Sequence, residues 1–317
     1  MTNEVKTHFT IDPKIQIKRI PLPGIPGTIL FTLSRRFKTD IVLVDLVVMS
    51  VFAWFLNRKR VVCLAQDDDR TYYSSPFLRW LTDMSYRISF DLIKVRVIGV
   101  SEYLARQLNV YAHGRIKVVP NGINFTKFYH EGKSRFLSER KTQVVIILYT
   151  RSDYRKGLDI GLKAIEELKR TRGSKDWELW TIGDNPVDIS IDGVRINKKG
   201  FLKDDDLRAV LSAADIYLSP SRHEGFGLMQ LEAMACGCVM VTTQAFSLAK
   251  DDVNSLVSTV EDWQSLARNL DRVLGDKELR ERLKQNGFKL VKEYSIDKSC
   301  ARFEKALIDF TQQKKQC

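Results

Sequence analysis

The sequence predicts an α/β protein of two domains, each a parallel sheet flanked by helices, and three observations carry that expectation. A chain of 317 residues exceeds what one hydrophobic core ordinarily organises. Short apolar, β-branched runs alternate with helically spaced segments in two successive series. A polar, charged stretch without strand character, residues 124 to 142, separates the two series.

The elements follow in chain order. The opening "MTNEVKTHFTIDPK" lacks a charged region followed by an apolar run, so no signal peptide is expected. "GTILFTLSRRFK" (27 to 38) reads either as a core helix or as a basic, apolar patch suited to an anionic membrane. "IVLVDLVVMSVFAWFL" (41 to 56) is shorter than a membrane span and carries Asp45, so a buried strand followed by a buried helix is expected. "RVVCLAQ", "VRVIGVS" and "IKVVP" read as further strands, and "SPFLRWLTDMSYRISFDLI" reads as a helix between them.

In the second series "QVVIILYT", "WELWTIG", "DIYLSP" and "CVMVTT" read as strands, with "KGLDIGLKAIEELKR", "DDDLRAVLSAA" and "GLMQLEAMAC" as helices. Beyond residue 260 only helices are expected, from "EDWQSLARNLDRVLGD", "KELRERLKQNG" and "SIDKSCARFEKALIDFTQQ". The expected division is a first domain over 1–136, a second over 137–295 and a final helical segment over 296–317.

Composition narrows the class. The chain is 44% apolar and 28% charged, as a soluble globular protein is. Five cysteines without framework spacing favour a reducing compartment, hence the cytoplasm. The net charge of +12 is uneven: residues 1 to 140 carry 22 Lys and Arg against 12 Asp and Glu, whereas residues 141 to 317 carry 29 against 27. A basic first half attracts nucleic acid, anionic lipid or phosphorylated substrates. No helix joins basic residues to a recognition motif, so nucleic acid is disfavoured as a partner. The acidic triplets at 67 to 69 and 204 to 206 are not read as metal sites; the second suits an N-cap and acidic first turn of a helix. "CGC" at 236 to 238 lacks the further ligands zinc needs.

The most informative stretch is "SPSRHEGFGLMQLEAMACGCVMVTT" (219 to 243), a strand, a loop and a helix closed by Gly237. Ligands bind beyond the carboxyl ends of strands in doubly wound sheets, and the amides of Gly225, Phe226, Gly227 and Leu228 lie at the helix start. Such amides welcome an anion, and glycine at 225 and 227 is expected to permit close approach of a phosphate. Glu232 lies two turns beyond Glu224, and because helical side chains lean N-terminally both carboxylates are expected to face one ligand. A carboxylate repels bare phosphate but accepts hydrogen bonds from sugar hydroxyls, so a nucleotide sugar satisfies both chemistries. Arg151 and Lys156, after another strand, are candidates to neutralise a leaving diphosphate.

"EGFGLMQLEAMACG" resembles the donor-site motif of the family 4 glycosyltransferases. "VVPNGIN" (118 to 124), "RSDYRKG" (151 to 157), "GFLKDDDLRAVLSAADIYLSPSRHEGFG" (200 to 227) and "KDDVNSLVS" (250 to 258) resemble that family's other segments in the same order, the last as the loop before its final helices. The resemblance covers residues 116 to 300, with Thr150 where the family usually has glycine. It implies a GT-B fold, two Rossmann-like domains facing a cleft, with the last helix crossing back to the first domain. It also implies retaining transfer of a sugar from a nucleotide-diphosphate donor, without metal or cofactor, to a glycan, lipid-linked or other hydroxyl acceptor. By that resemblance Glu224 contacts the transferred sugar, Glu232 binds ribose and Arg151 with Lys156 holds the diphosphate. Ser221 and His223 flank the motif, His223 either orienting the loop or touching phosphate. The family's early His-Asp pair corresponds to Gln66 and Asp67, which become acceptor-side candidates. A sugar-nucleotide epimerase of the same shape, a basic nucleic-acid-binding protein and a DNA-modifying sugar transferase are the alternatives. Peripheral attachment at the inner membrane face is compatible with the basic first half.

Overall fold

The computed structural model describes residues 24–33, 37–183 and 189–313. In chain order the first half comprises α1 (Gly24–Leu33), β1 (Val42–Val44), α2 (Val47–Asn57), β2 (Val61–Ala65), α3 (Pro76–Tyr86), β3 (Arg96–Gly99), α4 (Glu102–Ala112) and β4 (Ile116–Val118). The second comprises β5 (Val144–Tyr149), α5 (Leu158–Arg172), β6 (Trp177–Ile182), β7 (Ile196–Gly200), α6 (Asp204–Ala213), β8 (Ile216–Ser219), α7 (Leu228–Ala235), β9 (Val239–Thr243) and β10 (Ser255–Ser258). Three helices close the chain: α8 (Trp263–Gly275), α9 (Lys277–Val291) and α10 (Ile296–Gln313).

The strands form two wholly parallel sheets, one ordered β1-β2-β3-β4 and one ordered β10-β9-β8-β5-β6-β7. Parallel strands need crossover connections, and α5, α6 and α7 supply them in the second sheet. Period-two alternation sorts its side chains. Val145, Ile147 and Met240 face α6 and α7 on one side, whereas Ile146, Leu148 and Val241 meet Ala164 and Leu168 of α5 and Leu270 of α8 on the other. Burial on both faces explains why these strands read as continuous apolar runs.

Two strands escape the apolar-run criterion. β7 reads "INKKG" at the sheet edge, where one side is solvated. β10 occupies the end of the segment expected as a loop, pairing with β9 over Ser255–Ser258 after a turn at 251–254. Helix α6 starts at Asp204 with Lys203 as its N-cap and no capping side chain, so only the acidic first turn of the expected pair of devices is present.

The halves are stitched where the chain crosses between them twice. Ile123 donates its amide to the Tyr294 carbonyl at 2.7 Å, and Ile296 donates to the Ile123 carbonyl at 2.8 Å. Phe226 meets Tyr294 edge-on at 5.8 Å. Beyond this seam α10 lies on the first sheet, where Ala306 and Phe310 pack with Val62, Ile98 and Val119, and Lys117 bonds Asp309 at 2.7 Å. Phe310 is 4% exposed. Phe310→Ala should therefore remove about 3 kcal/mol of stability, read as a lower midpoint of chemical denaturation.

Candidate functional site

Between the sheets lies a cavity of about 390 Å³. Its lining includes Arg151, Lys156, Glu224 and Glu232, the loop Gly225, Phe226, Gly227 and Leu228, and from the first half Gln66 and Asp67. Ser221 lines it too, whereas His223 does not. The strand ends explain the convergence: β5 delivers Arg151, β8 delivers the loop at 220–227, and β2 delivers Gln66 from across the cleft.

Glu224 is 8% exposed and held by three donors. Ser221 Oγ and Gln230 Nε2 donate to its Oε1 at 2.7 and 2.9 Å, and Lys156 Nζ donates to its Oε2 at 2.8 Å. An ionised carboxylate accepts about four hydrogen bonds, so capacity for one more donor remains on Oε2. The two cations thus differ. Lys156 is neutralised by Glu224, while Arg151 is exposed and has no hydrogen-bond or ion-pair partner among the described residues.

Glu232 is half-buried. Burial, and then the charge of Asp204, lifts its carboxyl from the ordinary 4.5 to about 7, against the opposing pull of Lys127. At neutral pH it therefore exists in both forms, and the protonated form can donate to a hydroxyl as well as accept from one.

The glycines have a packing role that the sequence does not announce. A Cβ on Gly225 would lie 2.1 Å from the Gln66 carbonyl oxygen, and one on Gly227, where φ is +94°, would lie 2.5 Å from the Phe246 ring. They permit protein to approach protein at these points, and both residues also line the cavity. Ser101 Oγ adds a bond to the Gly225 carbonyl at 2.7 Å, so the loop is seated on the first half. Helix α7 begins at Leu228 with Gly227 as its N-cap and no capping side chain, and its first residues, Leu228, Met229 and Gln230, line the cavity.

The acidic triplet at 67 to 69 divides three ways. Asp67 Oδ1 accepts from His223 Nε2 at 2.6 Å and its Oδ2 accepts from Arg155 Nη1 at 2.7 Å. Burial alone would raise the Asp67 carboxyl, but His223 and Arg155 together hold it below its ordinary value. Asp68 pairs with Arg70, and Asp69 accepts from the Val47 amide at 2.8 Å. His223 thus orients the loop by gripping the opposite half. Gln66 is exposed to the cavity, whereas Asp67, although it lines the cavity, is committed to protein partners.

Several contributors escape a reading by spacing. Arg155 sits inside "RSDYRKG", but the five-residue interval draws attention only to Arg151 and Lys156. Its guanidinium also binds Asp153 at 2.6 Å and lies 4.2 Å from the centre of the Tyr72 ring. Gln230 is a lone polar residue in an apolar helix start, a signal that was available in the sequence.

Two predictions follow from this geometry. Gly225→Ala should force the halves apart, costing about 1 to 3 kcal/mol and weakening nucleotide diphosphate binding, checked by thermal melting and calorimetry. The raised Glu232 carboxyl means that the folded chain holds a proton more tightly than the unfolded chain. That stabilisation is complete below pH 4.5 and is lost as pH rises through about 7. Glu232→Gln should therefore gain in melting temperature over the parent more at pH 8 than at pH 5.

With this geometry in hand, comparison with known proteins gives a consistent picture. The model of the family described as glycosyl transferases group 1 matches residues 131–290. The chain is 26% identical over 213 residues to an uncharacterized glycosyltransferase of Methanocaldococcus jannaschii, covering 64% of this chain and 56% of that protein. It is 26% identical over 227 residues to the lipopolysaccharide core biosynthesis glycosyltransferase LpsE of Rhizobium meliloti, covering 68% and 63%. The chain thus spans about three-fifths of the length of these curated relatives. Among solved structures, sucrose-phosphate synthase from Thermosynechococcus elongatus superposes with a TM-score of 0.70 at 19% identity, covering 92% of this chain and 77% of that one. Anabaena HepE in complex with UDP-glucose superposes with a TM-score of 0.72 at 18% identity, covering 90% and 82%. The fold is GT-B, two parallel-sheet α/β domains facing a cleft. By its sequence from 131 to 290, the chain belongs to the group 1 glycosyl transferases.

Proposed function

We propose that this protein transfers a sugar, with retention of anomeric configuration, from a nucleotide-diphosphate donor to a hydroxyl acceptor. The observation that carries the reading is the meeting in one cavity of a free guanidinium, Arg151, a neutralised ammonium, Lys156, and two carboxyls of different character, Glu224 and Glu232. A leaving diphosphate gathers negative charge as the glycosidic bond breaks. Arg151 meets it without first losing a partner, and Lys156 turns to it while Glu224 keeps its bonds from Ser221 and Gln230. The site supplies this charge compensation from its own side chains, which favours a metal-independent reaction without cofactor.

Glu224 accepts a hydroxyl of the transferred hexosyl or deoxyhexosyl group through its spare capacity on Oε2. Glu232 holds the ribose. Gln66, on the opposite wall, faces the acceptor side, where a glycan or lipid-linked hydroxyl enters. Retention rests on the resemblance of residues 224–237 to the donor-site motif of family 4, in which the departing phosphate helps deprotonate the acceptor on the same face.

The deciding experiment is calorimetry against uridine, guanosine, adenosine and thymidine diphosphates, followed by NMR of the sugar product formed from the matching donor. One base should bind, and the product should keep the donor's anomeric configuration; an inverted product, or an epimerised donor without an acceptor, would overturn the reading. Arg151→Ala with Lys156→Ala should lower kcat by about 100-fold or more. Glu232→Ala should weaken diphosphate binding by about tenfold with a smaller effect on kcat. Wild-type rates and affinities in both variants would remove these residues from the mechanism.

A further inference from the structure

Helix α3 is turned inside out. Its buried residues include Thr82 and Ser85, whose hydroxyls have only the Leu78 and Leu81 carbonyls of their own helix as acceptors, each at 2.9 Å. Its apolar residues face outward instead: Phe77 is 66% exposed, Trp80 57%, Leu81 45% and Leu78 39%. The Phe77 and Trp80 rings stack with centroids 6.0 Å apart, forming one aromatic ridge. A helix of a globular protein puts its apolar stripe toward the core, and leaving four large apolar side chains outside on one short helix has a cost unless something apolar covers them.

The charge of the flanking sequence points to the cover. Between residues 54 and 94 the exposed cations are Arg58, Lys59, Arg79, Lys94 and Arg87, the last paired with the part-buried Asp83, against one exposed carboxylate, Asp91. Phe55, 58% exposed on the neighbouring helix α2, adds to the apolar surface beside Arg58 and Lys59. A second copy of this chain would bring a like-charged half against this one, whose residues 1 to 140 carry a charge of +10, 22 against 12. An anionic bilayer offers what both features need: an acyl boundary for Phe and Trp, and negative headgroups for the flanking cations. No described helix is long and apolar enough to cross a membrane, so the contact is with its surface.

We propose that the outward face of α3, Phe77 and Trp80 with Leu78 and Leu81, inserts into the surface of an anionic lipid bilayer. The ridge begins five residues after Tyr72, which lines the cavity and lies over Arg155. Docking on α3 therefore anchors to the lipid the segment that leads, within five residues, to Tyr72 of the cavity wall, which favours a membrane-borne hydroxyl as acceptor. Residues 27 to 38, the stretch that composition first suggests for this role, are described only in part, as helix α1 through Leu33, and the proposal does not depend on them.

The test uses the full chain and vesicles of phosphatidylcholine alone or with equimolar phosphatidylglycerol, in a sedimentation assay, with Phe77→Ser/Trp80→Ser as the variant. The parent should bind the anionic vesicles, less well at high salt, and the neutral ones weakly. The variant should bind at least about tenfold less while keeping the parent's melting temperature and nucleotide diphosphate affinity. No binding by the parent, or equal binding by the variant, would overturn the proposal. So would light scattering showing a parent dimer that the variant abolishes without any vesicle binding, since the ridge would then be a contact between copies. Diphosphate affinity is read separately, so failure here leaves the catalytic reading standing and failure there leaves this one.

Discussion

The geometry of the cleft depends on one carboxylate, Asp67, which stands at the end of a strand in the first sheet and is gripped by His223 and Arg155 from the second. All three side chains are at most about 15% exposed, so their attraction is screened far less than that of a surface pair. Around this clasp the loop at 224–227 seats itself on Gln66 and Ser101, and the two walls of the cavity acquire a common frame. Arg155 does this from outside the cavity lining, whereas its neighbours Arg151 and Lys156 line the cavity. Three cations in six residues thus divide between holding the halves together and facing the cavity.

A second consequence is the unequal state of the charged groups around the cavity. Glu224 is anchored by Ser221, Gln230 and Lys156 and so has little freedom to move. Glu232 is lifted toward neutrality by burial and by Asp204. Arg151 is left without a protein partner among the described residues. In the proposed reaction, fixed partners would reduce the reorganisation that a charged transition state demands, and the exposed guanidinium would supply attraction for an anion. Tyr72 couples this arrangement to the first half, because its ring lies over Arg155 and its chain leads directly into α3.

Much of this was legible in the sequence because buried parallel strands write themselves as apolar runs. "VVIILY" and "VMVTT" are strands that both faces of a sheet require to be apolar. "INKKG" is a strand that only its position at an edge permits, and its composition conceals it. Residues Glu224, Glu232, Arg151 and Lys156 stood out because carboxylates and cations at strand ends, beside a helix start, are matched to one class of ligand. Arg155 lies in the same segment, but the partner that gives it its role, Asp67, is 88 residues away; Gln230 has its partners Ser219 and Glu224 close by, yet no spacing rule singles out one amide in a helix start. The glycines at 225 and 227 were visible as necessary, but the backbone and ring that make them so come from elsewhere, Gln66 and Phe246.

By itself the sequence determined the layers, the alternation of most strands and helices along each α/β series and the kinds of chemical group delivered to several strand ends, since these follow from periodicity and residue type along short spans. Tertiary structure decided which groups meet: Asp67 with His223 across 156 residues, Ser101 with Gly225 across 124, and α10 with the first sheet. It also decided that α3 turns its aromatic face outward. Propensity and pattern act between neighbours in the chain. Pairing across a cleft depends on the orientation of two whole domains, a quantity that no local window contains.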